Sequence, residues 1–153
     1  MTGKYYDQLQ VGDRILHGRS RTITEAENLL FSGMTQNTQP LHLDEEFARQ
    51  AGFDGRIVNG ILTLGLVIGI TVPDLTEGTI VANLGYQNIQ HPAPVYLGDT
   101  LSVETEVLEK RPSESKGDRG LVRLRHQGRN QKGDVVIEVE RTVMFLMTPD
   151  GPP

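Results

Sequence analysis

Two hydrophobic rhythms divide the chain. From Thr79 onward the period is two: Leu101, Val103, Thr105 and Val107 alternate with Ser102, Glu104 and Glu106. Val122 and Leu124 alternate with Arg123 and Arg125, and Val135, Ile137, Val139, Arg141, Val143 and Phe145 alternate with Val136, Glu138, Glu140, Thr142 and Met144. Such alternation predicts strands with one buried face. A further strand begins at Ile80–Leu84, and "ESKGDRG" and "NQKGD" supply the connecting turns. No long helix separates these strands, so the sheet they form is expected to be antiparallel.

Ahead of Thr79 the pattern differs. Residues 12–23 are mixed and suggest an edge strand. Thr24 and Glu27 form a capping-box pattern, opening a helix expected to bury Ala26, Leu29, Leu30 and Phe31 and to end near Gly33. Asp44 can cap a second short helix with Phe47 and Ala51 inward and Gly52 as its stop. "NGILTLGLVIGITVPD" then has no polar face. Its length favours a helix over a strand, closed by Pro73. A helix that is apolar all round must be enclosed on most sides, and Gly65 and Gly69 are expected to let sheet side chains approach its backbone. One enclosed helix followed by a meander of long strands predicts an α+β fold, with the antiparallel sheet curled around a central apolar helix.

Composition narrows the function classes. At 153 residues the chain holds one domain, read as 1–148 with a short tail at 149–153. Net charge is −5, so no nucleic-acid partner is expected. There is no cysteine, which removes disulfides and cysteine-based metal sites or nucleophiles. His17, His91 and His126 are scattered without metal-ligand spacing and read as structural; no metal or cofactor is expected. The N-terminus has no apolar signal core, and the run Ile61–Val72 falls short of the ~20 residues a membrane span needs. A cytoplasmic protein with no membrane partner is the resulting expectation.

One stretch carries more. "NTQPLHLDEEFARQAGFDGRIVNGILTLGL" resembles the signature of the MaoC-like (R)-specific enoyl-CoA hydratases, a hot-dog-fold family. The strings are Pro40-Leu41-His42-Leu43-Asp44, then Gly52-Phe53, then Arg56-Ile57-Val58-Asn59-Gly60-Ile61-Leu62-Thr63. "HPAPVYLGDTLSVETEV" is similar to the family's Pro-Val-x-x-Gly-Asp-Thr string. "NTQPLH" looks like the mesaconyl-CoA hydratase branch. The resemblance implies a hydro-lyase acting on an acyl-CoA thioester, branched or dicarboxylic in the case of that branch, and built as a homodimer.

Hydrating a 2-enoyl thioester needs a base for water, a proton for C2 and a donor for the thioester oxygen. Histidine suits the acid/base task because its ordinary pKa lies near neutrality. A helix N-terminus suits the oxygen, and glycine there admits a carbonyl to the backbone N–H. The resemblance therefore makes His42 the acid/base and the Gly60 amide the oxyanion donor, with Gln39, Pro40, Arg56, Asn59 and Thr63 on the substrate. Where the hydratases usually carry a second acid/base aspartate, this chain has Asn37. An amide can orient water but cannot exchange a proton at neutral pH. Either Asn37 positions the water while His42 relays the proton, or hydration is lost and thioester binding remains.

Simpler readings stand beside these. Asn37 and Gln39 are ordinary turn residues. Arg56 can hold a CoA phosphate or pair with Asp54 or Asp44. Lys110, Arg111, Lys116 and Arg119 form a solvated hairpin tip or a phosphate clamp. Alternative activities are a hot-dog thioesterase, disfavoured because the start of the helix carries no carboxylate, and a non-catalytic acyl-CoA or acyl-carrier-protein binding subunit.

Overall fold

The computed structural model describes residues 3–149; most of the short C-terminal tail at 149–153 lies outside them. The chain runs β1 (Arg14–Leu16), β2 (Arg21–Thr22), α1 (Glu25–Met34), α2 (Pro40–Leu43), α3 (Glu45–Gln50), α4 (Gly60–Leu75), β3 (Ile80–Gln90), β4 (Thr100–Pro112), β5 (Arg119–Arg129) and β6 (Val135–Leu146). The strands form one antiparallel sheet in the order β1-β4-β5-β6-β3, with β2 also on β4. The residues that alternate in sequence face the core as expected. Leu101, Val103, Val107, Val122, Leu124, Val139, Val143 and Phe145 are all fully buried.

Helix α4 lies on that face and divides the core in two. Its Val67 and Ile70 pack with Leu101, Val103, Val136 and Ile137. Leu75, at its C-terminus, packs with Val107, Val122, Leu124 and Phe145. Each such buried aliphatic side chain contributes about 2 kcal/mol. Pro73 does not end the helix, which continues to Leu75. Enclosure is also incomplete: Ile61, Gly65 and Gly69 form an exposed stripe, and a Cβ on either glycine would meet nothing within 4 Å. The close approach uses a sheet glycine instead. A Cβ on Gly128 would fall 2.7 Å from methyls of Val67 and Ile137.

Two short helices turn the opposite way from the pattern reading. In α1 the buried side chains are Asn28 and Ser32, while Ala26, Leu29 and Leu30 are exposed and Phe31 is only half-buried. In α3 it is Ala48 that faces inward, with Phe47 and Ala51 exposed. The caps form as expected: Thr24 and Glu27 close a capping box, and Asp44 accepts from the Phe47 N–H at 3.0 Å.

The core face of the sheet also holds a polar chain with a single direction. Arg141 is 3% exposed, and its Nε donates to His126 Nε2 at 2.8 Å, so that nitrogen carries no proton. His126 Nδ1–H then donates to Thr105 Oγ1 (2.7 Å), and the Thr105 hydroxyl donates to His17 Nε2 (2.7 Å). His17 Nδ1–H completes the chain at Asp74 Oδ2, 3.3 Å away. A second guanidinium bond reaches Thr71 Oγ1 at 3.1 Å. Each polar atom on this path has its partner, as buried groups require. His17 and His126 are structural, as the sequence indicated.

Candidate active site

The site begins in the loop before α2. Asn37 Oδ1 accepts from the Gln39 N–H at 3.2 Å, an Asx-type turn. Pro40 occupies the first helical position, where its missing N–H costs nothing. One turn later His42 is buried, its backbone N–H bonded to Gln39 O at 3.0 Å. The ring is held from a second segment: His42 Nδ1 lies 2.9 Å from the Ile57 carbonyl, which can only accept, so Nδ1 carries the proton. Nε2 is thereby left as the nitrogen that can exchange one.

Asn28 ties this turn to the start of α4. Its Nδ2 donates to His42 O at 3.1 Å and its Oδ1 accepts from Asn59 N–H at 2.9 Å. Asn59 in turn caps α4 by accepting from Ile61 N–H at 3.0 Å. No acceptor among the described residues engages the Gly60 N–H. It is one of the free donors at the positive end of a 16-residue helix.

His42 and Gly60 meet on one cavity of about 220 Å³, whose other walls include Val58, Thr63, His91 and Val95. The lining carries no carboxylate, lysine or arginine. Of the residues expected in the site, His42, Gly60 and Thr63 line this cavity. Asn59 stands behind it as a buried cap, and Asn37, Gln39 and Pro40 belong to the turn that carries His42. Arg56 is paired with Glu25 at 2.7 Å and Glu45 at 3.3 Å, so its partners are neither Asp54 nor Asp44.

Lys110 donates to the backbone carbonyls of Tyr6 and Leu9, and Arg119 pairs with Asp118. Neither is part of this cavity's lining. Two contributors escaped the sequence reading. Asn28 was hidden beside two leucines that claimed the buried face. His91 had been set aside as structural, although "HPAPV" placed it next to a family string. Its imidazole lies against Gly60, where a Cβ would sit 3.1 Å from ring atoms Cε1 and Nε2. Its side chain is exposed at the cavity mouth, yet partial desolvation against these walls lowers its pKa from the ordinary histidine value.

Known proteins resemble this chain in sequence and in fold. The model of the MaoC like domain matches residues 8–130. The chain is 34% identical over 142 residues to a mesaconyl-CoA hydratase of Cereibacter sphaeroides, covering 93% of this chain and 41% of that protein. It is 32% identical over 143 residues to an (R)-specific enoyl-CoA hydratase of Rhodospirillum rubrum, covering 92% and 90%. Among solved structures, the MaoC-like dehydratase from Rhodospirillum rubrum superposes with a TM-score of 0.85 at 32% identity, covering 97% of this chain and all of that one. The architecture is the α+β hot-dog fold. The chain spans about two-fifths of the length of the mesaconyl-CoA hydratases it matches.

Proposed function

The chain belongs to the MaoC-like domain family, and on that premise we propose that it is an acyl-CoA hydro-lyase, adding or removing water across the 2,3 double bond of a thioester. One observation carries the reading: the His42 imidazole and the unengaged Gly60 N–H line the same small cavity. The amide takes the thioester oxygen, where negative charge grows as water adds. His42, fixed by Ile57, exchanges a proton through Nε2. Thr63 and the apolar walls hold the acyl group, while Asn59 and Asn28 keep the helix start and the histidine turn in register. The absence of a carboxylate in the lining counts against a thioesterase that would use one as base.

With no cationic side chain in the lining, an uncharged short enoyl group suits the cavity better than a dicarboxylic one. The enoyl absorbance of crotonyl-CoA is therefore expected to disappear on addition of the protein, with a higher kcat/KM than for mesaconyl-CoA. Absorbance unchanged with both, and with longer 2-enoyl thioesters, would leave a binding subunit as the better reading.

The working unit in this reading is a pair of subunits. Strand β3 is an 11-residue edge, hydrogen-bonded to β6 alone, and it exposes Val81, Leu84, Tyr86 and Ile89. Such an unprotected apolar edge is a template for another strand. Relatives of more than twice this length are consistent with a second unit beside the first. Sedimentation equilibrium is expected to give twice the 16.9 kDa chain mass. Leu84→Lys should shift it toward the monomer; a monomeric wild type would rule out the pairing.

A further inference from the structure

Adding water to an enoyl thioester moves two protons: one leaves the water as it bonds to C3, and one arrives at C2. Two groups in opposite protonation states perform this more readily than one group acting twice. In this chain the family's second acid/base position holds Asn37. Its amide oxygen closes a turn on Gln39, and the residue does not line the cavity. The titratable side chains in the lining are His42 and His91.

We infer that His91 is the second catalytic acid/base of this site, standing in by position in space for the missing carboxylate. The inference rests on the hydro-lyase reading and assigns it a residue. Three observations carry it. His91 shares the cavity with His42 and the oxyanion donor. Its Nε2 is among the ring atoms nearest Gly60, the residue whose amide receives the thioester oxygen in this reading. It also lies immediately after β3 and immediately before Pro92, in a segment that Val95 fixes to α4's approach by accepting from Val58 N–H at 2.7 Å. Partial desolvation, which lowers its pKa and so favours the neutral ring, accords with a base rather than an acid.

The chemistry balances. The water oxygen bonds to C3 while one of its protons passes to unprotonated His91. The π electrons shift toward C2 and the thioester oxygen, which the Gly60 N–H stabilises. C2 then takes a proton from Nε2 of His42, which enters the cycle as the doubly protonated imidazolium and keeps its Nδ1–H on the Ile57 carbonyl throughout. Solvent returns the proton from His91 to His42, and dehydration runs the same steps in reverse. Gly60 has two reasons to lack a side chain here: a methyl would crowd the incoming carbonyl and the imidazole together.

The test is steady-state hydration of crotonyl-CoA by wild type, His91→Ala and His91→Gln across pH 5 to 9, with butyryl-CoA affinity measured alongside. His91 is exposed at the mouth of the cavity, so both variants should melt with wild type. The expected result is a kcat loss of about 10²-fold in each, with butyryl-CoA affinity kept within threefold. The wild-type fall in kcat/KM at low pH, set by protonation of His91 below its ordinary value of about 6.5, should vanish in both variants. Among the described residues, His42 is the other titratable side chain lining the cavity. A loss under tenfold, recovery of wild-type rate by glutamine, or an unchanged pH profile would each overturn the assignment. Wild type inactive on every 2-enoyl thioester is a separate outcome: it removes the hydro-lyase reading itself, before any substitution is made.

Discussion

Replacing His42 by alanine should lower kcat for crotonyl-CoA hydration by about 10²-fold or more, while acyl-CoA affinity changes little. The imidazole donates Nδ1–H to Ile57 O, so its loss removes Nε2, the nitrogen that exchanges a proton with C2. Affinity rests elsewhere, on the Gly60 amide and the apolar walls, which alanine leaves in place. The truncation also leaves the Ile57 carbonyl without its partner, a cost of about 1 kcal/mol, small enough for the fold to survive. Stopped assays with wild type and variant at saturating substrate separate the two effects. A variant that keeps its turnover would show that the imidazole is there to fasten Ile57 and is not the acid/base of the site.

The second large effect concerns stability. Thr105→Val should cost about 3 kcal/mol, because it strands two buried nitrogens at once. His17 Nε2 loses its donor and His126 Nδ1–H loses its acceptor, while the isosteric side chain leaves packing unaltered. For a chain of this size that lowers Tm by about 8 °C. A loss below about 1 kcal/mol would mean that the polar chain from Arg141 to Asp74 does not close through Thr105.

The same chain makes the wild type acid-sensitive, and the sign follows from its direction. Arg141 donates to His126 Nε2, and burial together with that guanidinium holds the His126 pKa well below its ordinary value. The unfolded chain takes up this proton below about pH 6.5 and the folded one does not. Stability is then complete above that pH and falls by about 1.4 kcal/mol per unit below it. His17, lowered mainly by burial, acts in the same direction. Urea midpoints at pH 7.5 and 5.5 should differ accordingly, and equal midpoints would contradict neutral histidines in the core.

Much of the fold was legible because a strand with one buried face has no freedom in its register: shifting it by one residue would turn every apolar side chain outward. Hence Leu101 to Val107 and Ile137 to Phe145 were placed correctly, with Arg141 on the inner face among them. Helix α1 was misread for the converse reason. Leu29 and Leu30 suggested the buried side by hydrophobicity alone. The packed chain instead uses Asn28, whose amide satisfies both the histidine turn and the start of α4, groups far from it in sequence. The exposed glycines of α4 carry the same lesson, since the helix was read as enclosed and its stripe at Ile61, Gly65 and Gly69 is open in the single chain.

Local chemistry, then, was settled by the order of residues: the period of the strands, the caps at Thr24 and Asp44, and the strings around His42 and Gly60 that mark the family. What only folding decided is which distant groups share a volume. A hydrogen-bond partner or a cavity wall is defined by distance in space, and one chain pattern is compatible with many such pairings. That is why Arg56 found Glu25 and Glu45, why Arg141 is answered by a carboxylate four hydrogen bonds away, and why His91 came to rest against Gly60.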